Sequence, residues 1–91
     1  MSNNEIDIYG FIDSVTVEGM TVSPQTIKDQ LKEMSNEKEI IVNINSNGGD
    51  VFSGVAIYNM LRRQDAHITV NIDGLAASIA SVIAMAGDTV N

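Results

Sequence analysis

The fold class of this chain is best indicated by residues 39–51, Glu39-Ile40-Ile41-Val42-Asn43-Ile44-Asn45-Ser46-Asn47-Gly48-Gly49-Asp50-Val51. Its first part, residues 39–45, is β-rich and is apolar on both faces at the start, which is typical of a strand in a parallel sheet covered by helices. Residues 46–50 predict a loop, because glycines and short polar side chains favour turns. A helix is predicted from about Val51 to Arg63, so the stretch reads as a strand, a loop and a helix of an α/β fold.

The residues before this stretch predict further elements of the same fold. Residues 6–12 alternate at their start and predict a first strand, whereas Val15 and Val17 predict either a second short strand or a loop edge. Ser23-Pro24 is a helix start signal, with serine as the N-cap and proline at the first helical position. Apolar side chains then recur at helical spacing through residues 27–34, which predicts one helix face packed against a core.

The residues after the stretch repeat the pattern. Residues 67–73 alternate cleanly and predict a strand, and residues 74–77 predict a second glycine loop. A helix of small residues is predicted over 78–86, and Thr89-Val90 predicts the start of another strand. Such repeats favour right-handed parallel crossovers, so we predict one α/β domain over residues 1–91 with a mainly parallel sheet.

Composition and charge exclude several classes of protein. Ninety-one residues form one domain at most, and five basic against twelve acidic residues leave a net charge of −7. The basic residues are scattered along the sequence, so nucleic acid and anionic membranes are not expected as partners. The chain has no cysteine, and its first ten residues lack the basic and apolar regions of a signal peptide, so we expect a cytoplasmic protein without disulfides.

The two glycine loops are expected at one edge of the sheet, because both follow the carboxyl ends of parallel strands, where such sheets bind ligands. A phosphate-binding loop is disfavoured, because neither the GxxxxGK[ST] motif nor the GxGxxG motif occurs. The carboxylate of Asp50 would also repel a phosphate group. Gly48 and Gly49 then either serve only a tight turn or let a substrate carbonyl approach backbone amides in an oxyanion hole. Ser78 follows Gly-Leu-Ala-Ala at a predicted helix start, and this pattern alone predicts a helix cap. The small residues before it would also leave its hydroxyl exposed, beside a helix N-terminus that favours an oxyanion.

Four segments together resemble the ClpP family of serine peptidases, and most closely its phage and prophage branch, the ClpP-related head maturation proteases. They are residues 44–51 (INSNGGDV), 56–58 (AIY), 74–78 (GLAAS) and 84–88 (AMAGD). The pairing of an INSxGG loop with a GxAAS motif about thirty residues later is specific, and the resemblance covers nearly the whole chain. It implies the ClpP/crotonase-like spiral of ββα units.

The resemblance also implies roles for individual residues. Ser78 matches the nucleophile, and the backbone amides of Gly49 and Ile79 match the two halves of the oxyanion hole. Gly48 shapes the loop, and the segment that continues into Asp50-Val51 matches the part that binds extended substrate. No metal and no cofactor are implied. Three positions depart from the housekeeping pattern without removing a catalytic group: Asn47 stands in place of Pro, Leu75 stands in place of Gln, and the acidic Asp50 follows the glycines.

The general base is the unmatched part of the pattern. In the family it is a His some two dozen residues after the nucleophile, with an Asp further on, and we expect both beyond residue 91, so that residues 1–91 are the N-terminal part of the domain. The single histidine, His67, opens the strand whose other end leads to Ser78, and it is therefore out of hydrogen-bond reach. We expect a surface residue there, and no peptidase activity from these 91 residues alone.

Three functions remain open from the sequence. The first is a ClpP-like serine endopeptidase acting on peptide or protein substrates, as a homo-oligomer, with an ATP-dependent unfoldase or phage capsid or scaffold proteins as partners. The second is a crotonase-type acyl-CoA enzyme, disfavoured by the serine and by the absence of basic residues near the glycine loops. The third is a catalytically inactive fragment that oligomerises through an open sheet edge and exposed apolar surface.

Overall fold

The computed structural model describes residues 4–91, which fold as one five-stranded parallel sheet with three helices. Residues 1–3, on which the signal-peptide expectation partly rests, lie outside the described residues. The elements in chain order are β1 (Glu5–Ile12), β2 (Thr21–Val22), α1 (Pro24–Glu33), β3 (Glu39–Gly49), α2 (Val51–Arg62), β4 (His67–Ala76), α3 (Ile79–Ala84) and β5 (Thr89–Val90). The strand order is β2-β1-β3-β4-β5, and every described pair is parallel. The predicted α/β class with a parallel sheet is confirmed.

The core lies on one face of the sheet. Alternate residues of the three long strands are buried, among them Ile8 of β1, Val42 and Ile44 of β3, and Val70 of β4. The three helical crossovers, from β2 to β3, from β3 to β4 and from β4 to β5, all step in the same direction across the sheet, and right-handed crossovers of this kind carry their helices over the same face. The expectation that the central strand is buried on both faces is therefore wrong within residues 4–91.

The other face, called here the open face, carries a row of hydrogen-bonded polar side chains that crosses the sheet. The Asn43 amide donates to Asp7 (3.0 Å), the Asn71 amide to Asn43 (3.1 Å), and the Asn91 amide to Asn71 (2.9 Å). Asn43 is paired in register with both Asp7 and Asn71. A one-residue slip would break this row and would also turn the core residues outward, so both faces specify the same register.

Two helices begin as the sequence predicts. The Ser23 hydroxyl caps α1 by accepting from the Thr26 amide, and Pro24 is the first helical residue. Asp50 caps α2 by accepting from the Ser53 amide at 2.8 Å. Of the two alternatives predicted for Val15 and Val17, the structure shows the loop: Val15 lies in a bend, and the Val17 carbonyl accepts the amides of Met20 and Thr21 in a turn. The short strand β2 follows this turn.

The strands that lead to both glycine loops are longer than predicted. β3 continues to Gly49 because Phe11 and Ile12 of β1 pair with Gly48 and Gly49 after a register shift. β4 continues to Ala76, which pairs with Ser46 after a similar shift. Irregularities of this kind re-aim the chain at the end of a strand. The predicted loops are thus fixed as the irregular ends of paired strands.

No helix within residues 4–91 has the length and apolar character needed to cross a bilayer.

The one-sided core predicts different costs for two adjacent isoleucines. Ile40 is 1% exposed and faces the helices, whereas Ile41 lies half-buried on the open face. Ile40→Ala should lower the free energy of unfolding by about 2–5 kcal/mol, and Ile41→Ala by less than half as much, because only the first leaves a cavity. Urea denaturation of the two variants measures this difference. Equal losses would mean that the open face is covered in solution.

Candidate active site

The two glycine loops meet at one edge of the sheet, as the sequence predicts. The Ala77 amide donates to the Ser46 carbonyl at 3.1 Å, which joins the end of β4 to the end of β3. A Cβ added to Gly48 would lie 2.8 Å from the Ser78 Cβ and 3.0 Å from the Ala77 carbonyl oxygen. The glycine loop and the serine turn are therefore in direct contact.

Ser78 has an unusual backbone conformation. Its φ is 55° and its ψ is −129°, and it is the one non-glycine residue with positive φ in the described part of the chain. This region of φ and ψ normally requires glycine and costs of the order of 1–3 kcal/mol for other residues. A serine on a strained strand-to-helix turn is the arrangement by which many serine hydrolases expose a nucleophile.

The structure does not support the reading of Ser78 as a helix cap. Ser78 occupies the N-cap position of α3, but its side chain makes no capping hydrogen bond. The turn is held by the backbone instead: the Ser78 carbonyl accepts from the Ser81 amide (3.0 Å) and the Ser81 hydroxyl (2.6 Å). Ser78 is itself an exposed residue. Ser81, one turn into the helix, thus bonds a backbone carbonyl of the turn.

Gly48 is required by both its conformation and its neighbours. Its φ is +103°, and any side chain would collide with Ser78 and Ala77. The same added Cβ would lie 3.3 Å from the Ile79 amide nitrogen, so this proposed oxyanion donor lies beside Gly48. The Ile79 side chain is buried against Gly54 of α2, where an added Cβ would come within 2.2 Å of Ile79 Cγ1. That packing fixes the start of α3.

Gly49 lies against β1. An added Cβ would sit 2.1 Å from the Ile12 carbonyl oxygen, and this same oxygen accepts the Asp50 amide at 2.8 Å. The role of the Gly49 amide in the oxyanion hole stays a prediction. Gly49 packs closely against the Ile12 backbone of β1, which fixes its position.

Asp50 has a structural role in addition to its place in the predicted substrate segment. Its carboxylate accepts from the Ser53 hydroxyl (2.5 Å) and the Ser53 amide (2.8 Å), and these two bonds lower the pKa of the Asp50 carboxyl below its usual value. The charge also lies at the N-terminus of α2, where a carboxylate is favourable. Val51, next along the chain, is 56% exposed and free to contact a ligand.

Ser46 is the residue that the sequence did not single out. It is 3% exposed; its hydroxyl donates to the Gly10 carbonyl at 2.6 Å and accepts from the Gly48 amide at 3.0 Å. Its carbonyl accepts the Ala77 amide. One residue thus ties β1, the glycine loop and the serine turn together. A serine followed by Asn-Gly-Gly is typical of a turn, so no local signal shows this role.

His67 lies where the sequence predicts, away from Ser78. It is the first residue of β4 and Ser78 follows the last, which at roughly 3.3 Å per residue puts more than about 20 Å between them. The exposed imidazole contacts the Thr89 hydroxyl at 3.0 Å and the Asp88 carboxylate at 3.9 Å. Within residues 4–91, no three His, Cys, Asp or Glu side chains lie close enough together to hold a metal ion.

The fold and this edge of the sheet define a class: a parallel α/β domain with a strained, exposed serine beside a glycine loop, as in serine hydrolases. Comparison with protein families gives the group within that class. The model of the family described as Clp protease matches residues 22–91, which is more than half of the chain. The chain belongs to the Clp protease family.

Individual relatives agree with this assignment. The chain is 44% identical over 57 residues to the ATP-dependent Clp protease proteolytic subunit of Ligilactobacillus salivarius, covering 63% of this chain and 29% of that protein. It is 41% identical over 58 residues to the subunit of the same name from Deinococcus radiodurans, covering 64% and 28%. The solved structure of ClpP1 from Listeria monocytogenes matches with a TM-score of 0.78 and 25% identity, over 93% of this chain and 47% of that one.

These matches have two consequences. The matched residues cover under a third of the length of the curated relatives named above and about half of the solved one. All three are Clp proteins, so the comparisons favour the peptidase over the crotonase-type alternative. The likeness to the phage head maturation branch stays a prediction.

The contact between Gly48 and Ser78 can be tested against a matched glycine. Gly48→Ala should destabilise the protein by about 1–3 kcal/mol more than Gly19→Ala, because Gly19 also has positive φ (80°) but has nothing within 4 Å of an added Cβ. The backbone cost is shared and only the collision differs. Urea denaturation of both variants measures the difference, and equal costs would refute the contact.

The bridging role of Ser46 predicts a local effect on amide exchange. Ser46→Ala leaves the Gly10 carbonyl and the Gly48 amide without this partner, at a cost of about 1–3 kcal/mol in unfolding free energy. Under native conditions hydrogen exchange at Gly48 should accelerate more than at Ala77, whose acceptor is the Ser46 carbonyl and is retained. Ser35→Ala, at an exposed serine, is the control. Unchanged Gly48 exchange would show that the Ser46 hydroxyl does not hold the loop.

Proposed function

We propose that this chain supplies the nucleophile and the oxyanion hole of a serine endopeptidase of the Clp type. The observation that carries the proposal is the backbone of Ser78, which is strained, exposed and in contact with Gly48. Such strain is retained where the surroundings impose it, and it clusters at active sites. Membership of the Clp protease family supports the same reaction.

The proposed mechanism is acyl transfer. The Ser78 hydroxyl attacks the carbonyl carbon of a peptide bond, and the amides of Gly49 and Ile79 stabilise the oxyanion that forms. The amine product leaves with a proton, and water then releases the acyl group from Ser78. Gly48, Asp50 and Val51 form the proposed binding segment for an extended substrate. No cofactor takes part in these steps.

The general base must come from outside these 91 residues. A serine hydroxyl is a weak nucleophile until a base removes its proton, and His67, at the far end of β4, does not reach it. We therefore propose that the complete site forms in a longer protein, as the partial coverage of the relatives suggests. By the same reasoning, these 91 residues alone do not cleave peptides.

A covalent serine probe tests the nucleophile. In the longer protein that contains this chain, a fluorophosphonate should label Ser78, and Ser78→Ala should lower labelling at least about 10³-fold, because the attacking oxygen is lost. Ser35→Ala should label normally. Labelling that survives Ser78→Ala would refute the assignment, and peptide cleavage by the purified 91-residue chain would refute the need for an outside base.

We also propose that the protein works as a homo-oligomer. The relatives are named as proteolytic subunits of ATP-dependent proteases, which supports assembly and an ATP-driven unfoldase partner. Large apolar side chains are exposed, with Phe52 87%, Met85 71% and Phe11 57% accessible. We further propose a cytoplasmic location, which the absence of cysteine supports. We also propose phage capsid or scaffold proteins as partners, which the resemblance of Asp50 to the phage-type members supports.

Sedimentation tests the assembly. At micromolar concentration the longer protein should sediment as an oligomer, because exposed apolar patches are covered by association. Phe52→Asp should shift the distribution towards smaller species, whereas Glu18→Asp, at an exposed loop position, should leave it unchanged. A monomer at every concentration up to about 100 μM would contradict the proposal.

A further inference from the structure

A groove lies between α1 and α2, apart from the serine site. Its volume is about 670 Å³. Pro24 and Leu31 from α1 and Ala56 and Met60 from α2 give it an apolar floor. None of its lining residues belongs to the candidate active site, so a ligand in this groove leaves Ser78 open.

The charge of the groove is opposite to that of the protein. Lys28 and Lys32 of α1 and Arg63, the C-cap of α2, line it, and among the described residues no acidic side chain does. The chain has only five Lys and Arg and a net charge of −7, so the fold gathers into one groove three cations that are scattered in the sequence. Lys28, Lys32 and Arg63 all have exposed side chains.

Helix stability explains only part of this arrangement. Lys32 lies in the last turn of α1 and Arg63 ends α2, where cations are favourable. Lys28 lies in the middle of α1 and has no such benefit, and at i, i+4 it repels Lys32. None of the three forms an ion pair within residues 4–91. These charges are available to a partner.

We propose that the groove between α1 and α2 binds an acidic amphipathic helix of a protein partner. A helix of about ten residues is roughly 15 Å long, which matches α1 itself. Its apolar stripe would lie on the half-buried Pro24, Ala56 and Met60, as in other helix-in-groove complexes. Its Asp and Glu side chains would meet Lys28, Lys32 and Arg63, and a guanidinium binds a carboxylate with two hydrogen bonds.

The groove is less suited to other polyanions. Single-stranded RNA is bound by aromatic platforms within long positive channels, and no aromatic side chain of the described residues lines this groove. A membrane surface or a duplex would be repelled by the rest of the acidic protein. A short acidic peptide meets the three cations without approaching the remaining surface.

Fluorescence anisotropy on the 91-residue chain tests the proposal. The probe is a labelled 14-residue helical peptide with leucines at i, i+4 and i+7 and glutamates on both flanks; a second peptide has glutamine at every glutamate. The protein variants are Lys28→Glu and Arg63→Glu, each reversing one groove charge. The matched controls are Arg62→Glu and Lys38→Glu, which reverse cations that do not line the groove. Circular dichroism confirms that each variant is folded.

We expect saturable binding of the glutamate peptide to the unchanged chain. The affinity should fall at least tenfold with either groove variant and less than twofold with either control variant. It should also fall as the salt concentration rises. The glutamine peptide should bind at least tenfold more weakly. Equal losses in groove and control variants, or no binding up to about 1 mM, would overturn the proposal. The proposal would also be overturned if a uridine oligonucleotide or phosphatidylserine vesicles displaced the labelled peptide at a lower concentration than the unlabelled peptide does. Loss of peptide binding because the chain itself dimerises through the groove would overturn it as well.

Discussion

The contact between Gly48 and the backbone around Ser78 is the constraint on which the candidate site depends. Two strand ends approach so closely there that a single added methyl group would collide with the Ser78 Cβ and the Ala77 carbonyl. At this junction the backbone of Ser78 is strained. Its hydroxyl also lacks the hydrogen bond by which a serine at an N-cap position usually caps its helix. The strain and the absence of the capping bond thus have one origin.

Three other elements keep that junction in place. Ser46 bonds β1 and the glycine loop through its hydroxyl and the serine turn through its carbonyl. Ile79 is anchored against Gly54, so the helix that follows Ser78 cannot rotate away from α2. Asp50 caps α2 and bonds back to Ile12. Because the bonds of Ser46 to Gly10 and Ala77 and of Asp50 to Ile12 join segments that are distant in sequence, the site exists only when the parallel sheet is formed.

Much of this arrangement could be predicted from local patterns, and the remainder could not for a physical reason. The strand-loop-helix unit around Gly48 and the position of Ser78 follow from apolar periodicity, caps and a specific pair of motifs. The role of Ser46 does not, since its partner Gly10 lies in β1 and its partner Ala77 follows β4. The extension of β3 to Gly49 depends on pairing with β1, and the uncovered face of the sheet depends on the direction of successive crossovers. The groove likewise combines Lys28 with Arg63 from another helix.

The fold, and not the serine side chain, imposes the left-handed backbone at position 78. The most direct measurement compares the unfolding free energies of Ser78→Gly and Ser78→Ala, which both remove the hydroxyl. Glycine tolerates this conformation and alanine does not, so Ser78→Gly should be more stable by about 1 kcal/mol or more, despite the greater freedom of glycine in the unfolded chain. A glycine variant equal to or less stable than the alanine variant would contradict the account.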